Sequence, residues 1–329
     1  MELSIRRYQN AKTFLSETLQ QLEENELDHT FLIWAGTRLA EKDTLNNSYC
    51  GAVWKKGENN NNNNKDDNDD DKEKEELIFA MAAFNDDMAF PSLLLTKNKK
   101  VQCDAVRLLV QDLIDAPTIV KIIQGYNAAS LELVKESWES ISPSTLLTTS
   151  NDPFWSYVSP PVEQLEASKA IAFGKKGGFS LRQGTLIELP LVVDWMIGFI
   201  GHYEELIRPD KQSESFMDGV HIQCSEELVR GNVYFWCDRK GVPTGMVWRR
   251  RPMRYGSSLG YVYTPPEYRG RGYGSAMVAA FSLQELKTYK YLNLLVVPYQ
   301  NPNDNLYARL GYTVAGTSIQ YHVSTREEE

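Results

Sequence analysis

The chain has 329 residues, about right for two domains, and 42% of them are apolar, which is ample for packed cores. Its 35 Lys and Arg against 44 Asp and Glu give a net charge of −9, a balance that argues against a nucleic-acid partner. No run approaches about 18 apolar residues, the N-terminus lacks an apolar leader core, and Cys50, Cys103, Cys224 and Cys237 show neither disulfide nor metal spacing; a cytoplasmic protein with free thiols, no metal site and no membrane partner is expected.

In chain order, helical patterns cover residues 8–24 and 30–42, and short apolar runs at 49–54, 77–84 and 92–95 predict strands. A helix at 101–115, a strand at 118–123 and a helix at 127–138 follow. The insert at about 57–76 is asparagine followed by Asp, Glu and Lys. Its residues 59–76 hold eight acids and three lysines, so five of the nine net negative charges are local. A segment with so little to bury predicts a disordered excursion at a hairpin tip, and deleting 59–74 should leave folding and activity nearly unchanged.

Only four of 21 glycines, at 36, 51, 57 and 125, precede residue 171. The shift in glycine usage puts the domain boundary there, giving domains 1–170 and 171–329. The second half reads as a strand at 179–185, a helix at 189–206 and a hairpin of 232–237 with 246–250. Leu259, Tyr261 and Tyr263 alternate as a strand, which Pro265 and Pro266 end because neither can donate a ladder hydrogen bond. A helix at 275–287, a buried strand at 291–297, a helix entered at Asn301 and Pro302 and stopped at Gly311, and closing strands at 314–323 complete the series.

The stretch between strand and helix carries the chemistry. Gly270, Gly272 and Gly274 alternate with Arg271 and Tyr273, behind Arg269 and ahead of Ser275. Residues without Cβ let a backbone turn its N–H groups into one concavity, an anion nest, and the following helix N-terminus adds positive potential. The spacing fits neither a dinucleotide fingerprint nor a nucleotide P-loop. Arg269 with Gly272 and Gly274 resembles the Arg/Gln-x-x-Gly-x-Gly/Ala signature of the GNAT superfamily of N-acetyltransferases. The later step Leu306-Tyr307…Leu310-Gly311-Tyr312 also resembles the family's tyrosine-bearing helix.

The resemblance implies an α/β (α+β) fold, a mixed and mostly antiparallel sheet flanked by helices, in tandem. It also implies acetyl-CoA as acyl donor and a small-molecule or peptide amine as acceptor. By it, the backbone of Tyr261, Val262 and Tyr263 pairs with the pantetheine arm, and Arg269, Gly270, Arg271, Gly272, Tyr273, Gly274 and Ser275 hold the pyrophosphate. Tyr307 protonates the departing thiolate, a role that a phenol of pKa about 10 can fill at neutral pH. Many members place an asparagine seven residues before this tyrosine; here that position is Gln300, and Asn301 or Asn303 is the alternative contact. Tyr203 and Glu204, with Glu205 and the segment from Met217 to His221, fall where the acceptor would lie, while Glu267 reads as a solvated loop charge. No general base is assigned.

The first half repeats the order of elements, but its corresponding loop at 96–101 has no glycine, and Lys97, Lys99 and Lys100 there read as a solvated loop. A degenerate copy that binds no CoA is the expectation, with an unrelated helical cap as the rival. A non-catalytic acyl-CoA sensor or scaffold, or an interaction module without CoA affinity, stands beside the enzyme reading.

Overall fold

The computed structural model describes residues 2–41, 45, 47–56, 75–84, 88–126, 128–148, 152–204, 214–297 and 300–325, without the side chains of 202–204, 214, 215 and 325. Two compact units divide the chain: residues 1–154 with 316–329, and residues 155–315. The division differs from the glycine-usage boundary at 170, since the second unit begins sixteen residues earlier and gives up the chain's last segment.

Unit 1 contains, in order, β1 (Leu3–Arg7), α1 (Ala11–Leu22), α2 (Thr30–Ala40), β2 (Tyr49–Lys56), β3 (Glu75–Phe84), β4 (Met88–Pro91), α3 (Lys99–Ile114), β5 (Ile122–Gly125), α4 (Ala128–Ile141) and β6 (Ser144–Thr148). Strands β1 to β4 pair antiparallel in sequence order, and β4 pairs β5 in parallel. The long β3 is buried from Leu77 to Ala83, a continuous apolar run suited to a strand covered on both faces. Val106, Leu109, Val110 and Leu113 of α3, Leu131, Val134 and Trp138 of α4, and Phe79 and Met81 of β3 make up much of the core.

Unit 2 continues with β7 (Phe154–Val158), α5 (Val162–Glu166), α6 (Lys169–Gly177), β8 (Ser180–Gln183), α7 (Leu189–Glu204), α8 (Glu214–Val229), β9 (Val233–Cys237), β10 (Pro243–Arg250), β11 (Gly256–Tyr263), α9 (Tyr273–Glu285), β12 (Tyr291–Val296) and α10 (Leu306–Arg309). Its sheet runs β8-β9-β10-β11-β12-β7, antiparallel except for β11 with β12. Met277, Val278 and Phe281 of α9 cover one face, and Trp195 and Met196 of α7 with Cys224 and Leu228 of α8 cover the other. The final strand, β13 (Thr313–Thr325), contributes its residues from 316 onward to unit 1, where it pairs with β5 and β6.

The tandem arrangement and the mixed sheet are as expected, and both sheets contain one parallel pair at the same place in their strand order. Several details differ. The predicted strand at 92–95 is irregular, tied to β3 by Ser92 N–H to Ala80 O and Leu95 N–H to Ile78 O, and the strand itself is β4 just before it. The strand expected at 118–123 lies at β5, slightly later. Residues expected to close the second sheet close the first, and β7 fills the place beside β12 instead. Of the low-complexity insert, residues 57–74 lie outside the described set, while Glu75 and Glu76 already belong to β3 opposite Lys56 and Lys55. Among the described residues no helix is long and apolar enough to cross a membrane, and no cluster of His, Cys, Asp and Glu could hold a metal.

Candidate active site

The two parallel strands of unit 2 part company. β11 and β12 pair only through Gly256, Ser257 and Ser258 with Tyr291, Leu292 and Asn293, although both strands run on. A cavity of about 170 Å³ opens where they separate, lined by Leu259, Gly260, Tyr261 and Val262 on one side and Leu295, Val296 and Val297 on the other. Phe199, Gln300 and Tyr307 complete the lining. Strand edges that diverge leave backbone donors and acceptors available to an extended ligand, the logic of β-augmentation.

A bulge in β11 shapes this wall. Met246 faces Tyr263 and Trp248 faces Gly260, so Val247 alone opposes both Tyr261 and Val262. Tyr261 sits at φ +46, a left-handed conformation that costs a non-glycine residue about 1–3 kcal/mol. Its ring is fixed edge-on to Trp248 (4.9 Å between centroids) and Phe199 (5.3 Å), and its hydroxyl accepts from Gln223 Nε2 at 3.2 Å. Tyr263, by contrast, is buried among the core residues beneath α7.

At the end of β11 the chain enters the glycine loop. Gly270 and Gly272 adopt φ +71 and +81, which the glycines at these positions accommodate without a Cβ clash, and Gly272 caps α9. The first helical bond of α9 runs from Ala276 N–H to Gly272 O. The amides of Tyr273, Gly274 and Ser275 therefore face outward from the first turn without an intrahelical acceptor. Arg269 folds back as a clasp: Nε donates to Thr264 O at 2.8 Å and the guanidinium lies 5.6 Å from the Tyr263 ring centre. Arg271 is exposed beside the loop. The Tyr273 ring packs against Phe179 (4.8 Å) and Phe173 (6.0 Å), aromatic anchors from α6 and the start of β8 that the sequence reading did not identify.

Gly274 ties the nest to the tyrosine helix, because a Cβ there would lie 3.3 Å from Leu306 Cδ1. Helix α10 starts at Leu306 rather than near residue 302. Its cap is Asn305, whose Oδ1 accepts from the amides of Tyr307 and Ala308 at 2.9 and 3.0 Å. Asn301 is exposed, and its side chain accepts from the Asn303 amide in the preceding turn. The cavity lining contains Gln300 and not Asn301. Tyr307 is half-buried, 6.3 Å from the Tyr157 ring and 6.0 Å from that of Tyr312. Burial pushes the Tyr312 phenol well above its ordinary value, and its hydroxyl is engaged with Ser282 Oγ at 2.6 Å, a structural role.

On the acceptor side, α7 runs through 203 and 204, but the side chains of Tyr203 and Glu204 lie outside the described residues, as does Glu205. Met217, Asp218 and His221 are exposed on α8, and Glu267 is exposed in its loop.

Unit 1 treats the corresponding places differently. Asn98 Oδ1 accepts from the Lys100 and Val101 amides at the start of α3, so the first-turn donors meet a side chain of the same unit. After β4, the Leu93 amide donates to His29 Nε2 at 3.1 Å and the Leu94 amide to Ser130 Oγ at 3.2 Å.

Residues 230–314 match the family model described as an acetyltransferase (GNAT) domain. No curated protein matches the chain in sequence. Among solved structures, an acetyltransferase of the GNAT family from Colwellia psychrerythraea superposes at a TM-score of 0.55 with 12% identity, covering 98% of this chain and 100% of its own. A GCN5-related N-acetyltransferase from Sphaerobacter thermophilus gives a TM-score of 0.54 with 13% identity over 97% of this chain and 94% of that one. A tandem GNAT protein from the clavulanic acid biosynthesis pathway gives 0.50 with 11% identity, covering 98% of each chain. Residues 230–314 of the second unit thus match the GNAT acetyltransferase domain, and the whole chain shares the fold of these GNAT structures, a tandem GNAT protein among them.

Proposed function

We propose that unit 2 transfers an acetyl group from acetyl-CoA to the amine of a small-molecule or peptide acceptor. The observation that carries this reading is the cavity between the diverging β11 and β12, with Tyr261 and Val262 on one wall and Tyr307 at its edge. The free backbone edge suits the amide-bearing pantetheine arm, and the nest of residues 270–275 suits a diphosphate. The donor fits the residues present: two positive-φ glycines shape the loop, the first-turn amides of α9 point away from its own helix, and Arg271 adds charge beside them.

In the reaction, the unprotonated amine attacks the thioester carbonyl and the carbon–sulfur bond breaks. Backbone N–H groups of the bulged strand polarise the carbonyl, and Tyr307 gives its phenolic proton to the departing thiolate. The proton lost by the amine leaves by a base that the described side chains do not identify. Direct attack is favoured over an acyl-enzyme, because the described residues lining the cavity include no cysteine. Holding donor and amine together supplies much of the acceleration. Unit 1 binds no acyl-CoA in this proposal, since Asn98, His29 and Ser130 engage the amides that a second donor would need.

Calorimetric titration with acetyl-CoA, followed by thiol release in the presence of an amine panel, tests the proposal. One binding event per chain and amine-dependent thiol release are expected. Binding without turnover would point to a sensor, and no heat at high micromolar acetyl-CoA would remove the cofactor reading altogether.

A further inference from the structure

Behind the cavity wall lies an arginine, Arg250, with no ion-pair partner among the described residues. Arg250 ends β10 on the same sheet face as Trp248, toward α7 and α8, and is half-buried. Its guanidinium carbon lies 4.6 Å from the centre of the Tyr261 ring. Its stem crosses Gly260 so closely that a Cβ at 260 would lie 3.1 Å from Arg250 Cγ. Gly260 and Tyr261 both line the cavity.

The neighbouring arginines behave differently. Arg249 faces the opposite side of the sheet and is held by Glu285 through two hydrogen bonds of 2.5 and 2.7 Å, with a further bond to Tyr234 Oη. Arg182 is paired with Glu188. Arg250 forms no ion pair among the described residues. Stacking on an aromatic ring satisfies the flat face of a guanidinium and leaves its N–H edges to form planar, bidentate bonds with an oxyanion. A second donor adjoins it: the Tyr261 hydroxyl accepts from Gln223, which leaves its own proton to donate.

We infer that the acceptor is an aminocarboxylate, an amine carrying a carboxylate that Arg250 and the Tyr261 hydroxyl hold on the α7–α8 side of the cavity. The inference rests on the acyl-transfer reading and adds the substrate class to it. A second ammonium group, as in a diamine, finds no carboxylate among the described lining residues and would meet the Arg250 charge. Phe199, Tyr261 and Trp248 offer apolar surface to the carbon skeleton between the two functional groups.

The test compares acids with their own amides. The wild-type chain, saturated with acetyl-CoA, is assayed for thiol release with glycine, β-alanine, γ-aminobutyrate and phenylalanine, each beside its carboxamide, and with putrescine. At least one acid should exceed its amide in kcat/KM by about tenfold to a hundredfold, the range of a charge-assisted hydrogen bond. In Arg250→Gln that preference should collapse while the dissociation constant for acetyl-CoA stays within about twofold, and Arg250→Lys should recover part of it. Turnover of amides or putrescine at least equal to every acid would overturn the inference, as would a preference that Arg250→Gln leaves intact; in both cases acyl transfer itself survives. Absence of acetyl-CoA binding would instead remove the acyl-transfer reading, and this inference with it. Matched melting temperatures for the two variants show that any change is not a failure to fold.

Discussion

Asn305 donates from Nδ2 to the hydroxyl of Tyr157 at 2.7 Å, and Tyr157 in turn donates to Pro302 O at 2.5 Å. Tyr157 is wholly buried on β7, and Asn305 is the cap that starts the helix bearing Tyr307. The candidate acid is thus fastened to the sheet through one buried polar pair. Tyr157→Phe leaves the Asn305 amide and the Pro302 carbonyl without this partner, at a cost of about 1–3 kcal/mol. Calorimetric melting should show that loss. Turnover should fall further than stability explains, with acetyl-CoA affinity little changed, because the pair positions Tyr307 and does not touch the diphosphate loop. Unchanged turnover in a destabilised Tyr157→Phe would reduce the pair to a packing role.

Tyr307→Phe removes the proposed proton donor but keeps the ring between Tyr157 and Tyr312. General acids contribute roughly 10²–10⁴-fold, so kcat should drop within that range while acetyl-CoA binds as before. Steady-state kinetics paired with calorimetry separates the two quantities. If both decline together, Tyr307 shapes the cavity and protonates nothing.

How much of this was legible beforehand depends on what each feature is made of. The strand, glycine loop and helix from Leu259 to Glu285 could be read because alternation, proline stops and residues without Cβ are local properties. The bulge at Tyr261 was hidden, since nothing in the sequence marks Tyr261 for left-handed backbone; tertiary contacts with Trp248, Phe199 and Gln223 hold it there. The helix cap was misread by four residues because the segment 300–305 offers three asparagines, and only the buried Tyr157 hydroxyl selects Asn305. The destination of β13 was equally unreadable. Its alternation fits either sheet, and the choice is made by pairing with β5 and β6, which are distant in sequence. An arginine at a strand end, such as Arg250, is ordinary in sequence until its aromatic support is seen.

Gly272→Val tests the nest directly. At φ +81 a β-branched residue is strained, and a single left-handed residue costs about 1–2 kcal/mol even without branching. The loop should rearrange and draw the first-turn amides of α9 out of register with a diphosphate. Acetyl-CoA affinity is expected to weaken at least about tenfold, while the melting temperature falls by only a few degrees. Affinity preserved in the variant would locate the diphosphate elsewhere.

His29 in unit 1 gives a prediction in pH. Its Nδ1–H donates to Leu22 O at 2.7 Å, and Nε2 accepts from the Leu93 amide at 3.1 Å, so the neutral ring is fixed in one tautomer. Burial lowers its pKa below the ordinary 6.5, against a smaller opposing effect of the Leu22 carbonyl. A depressed histidine contributes its stability above the unfolded pKa and loses it as pH falls through the folded value, because the unfolded chain takes up the proton first. Protonation at Nε2 would also set two donors, the ring N–H and the Leu93 amide, against each other. Melting temperature should therefore decline between about pH 7 and pH 5 more steeply in the wild-type chain than in His29→Gln, which has no titrating ring there. Parallel pH profiles for the two proteins would mean that other groups govern the decline and that the His29–Leu93 bond is dispensable.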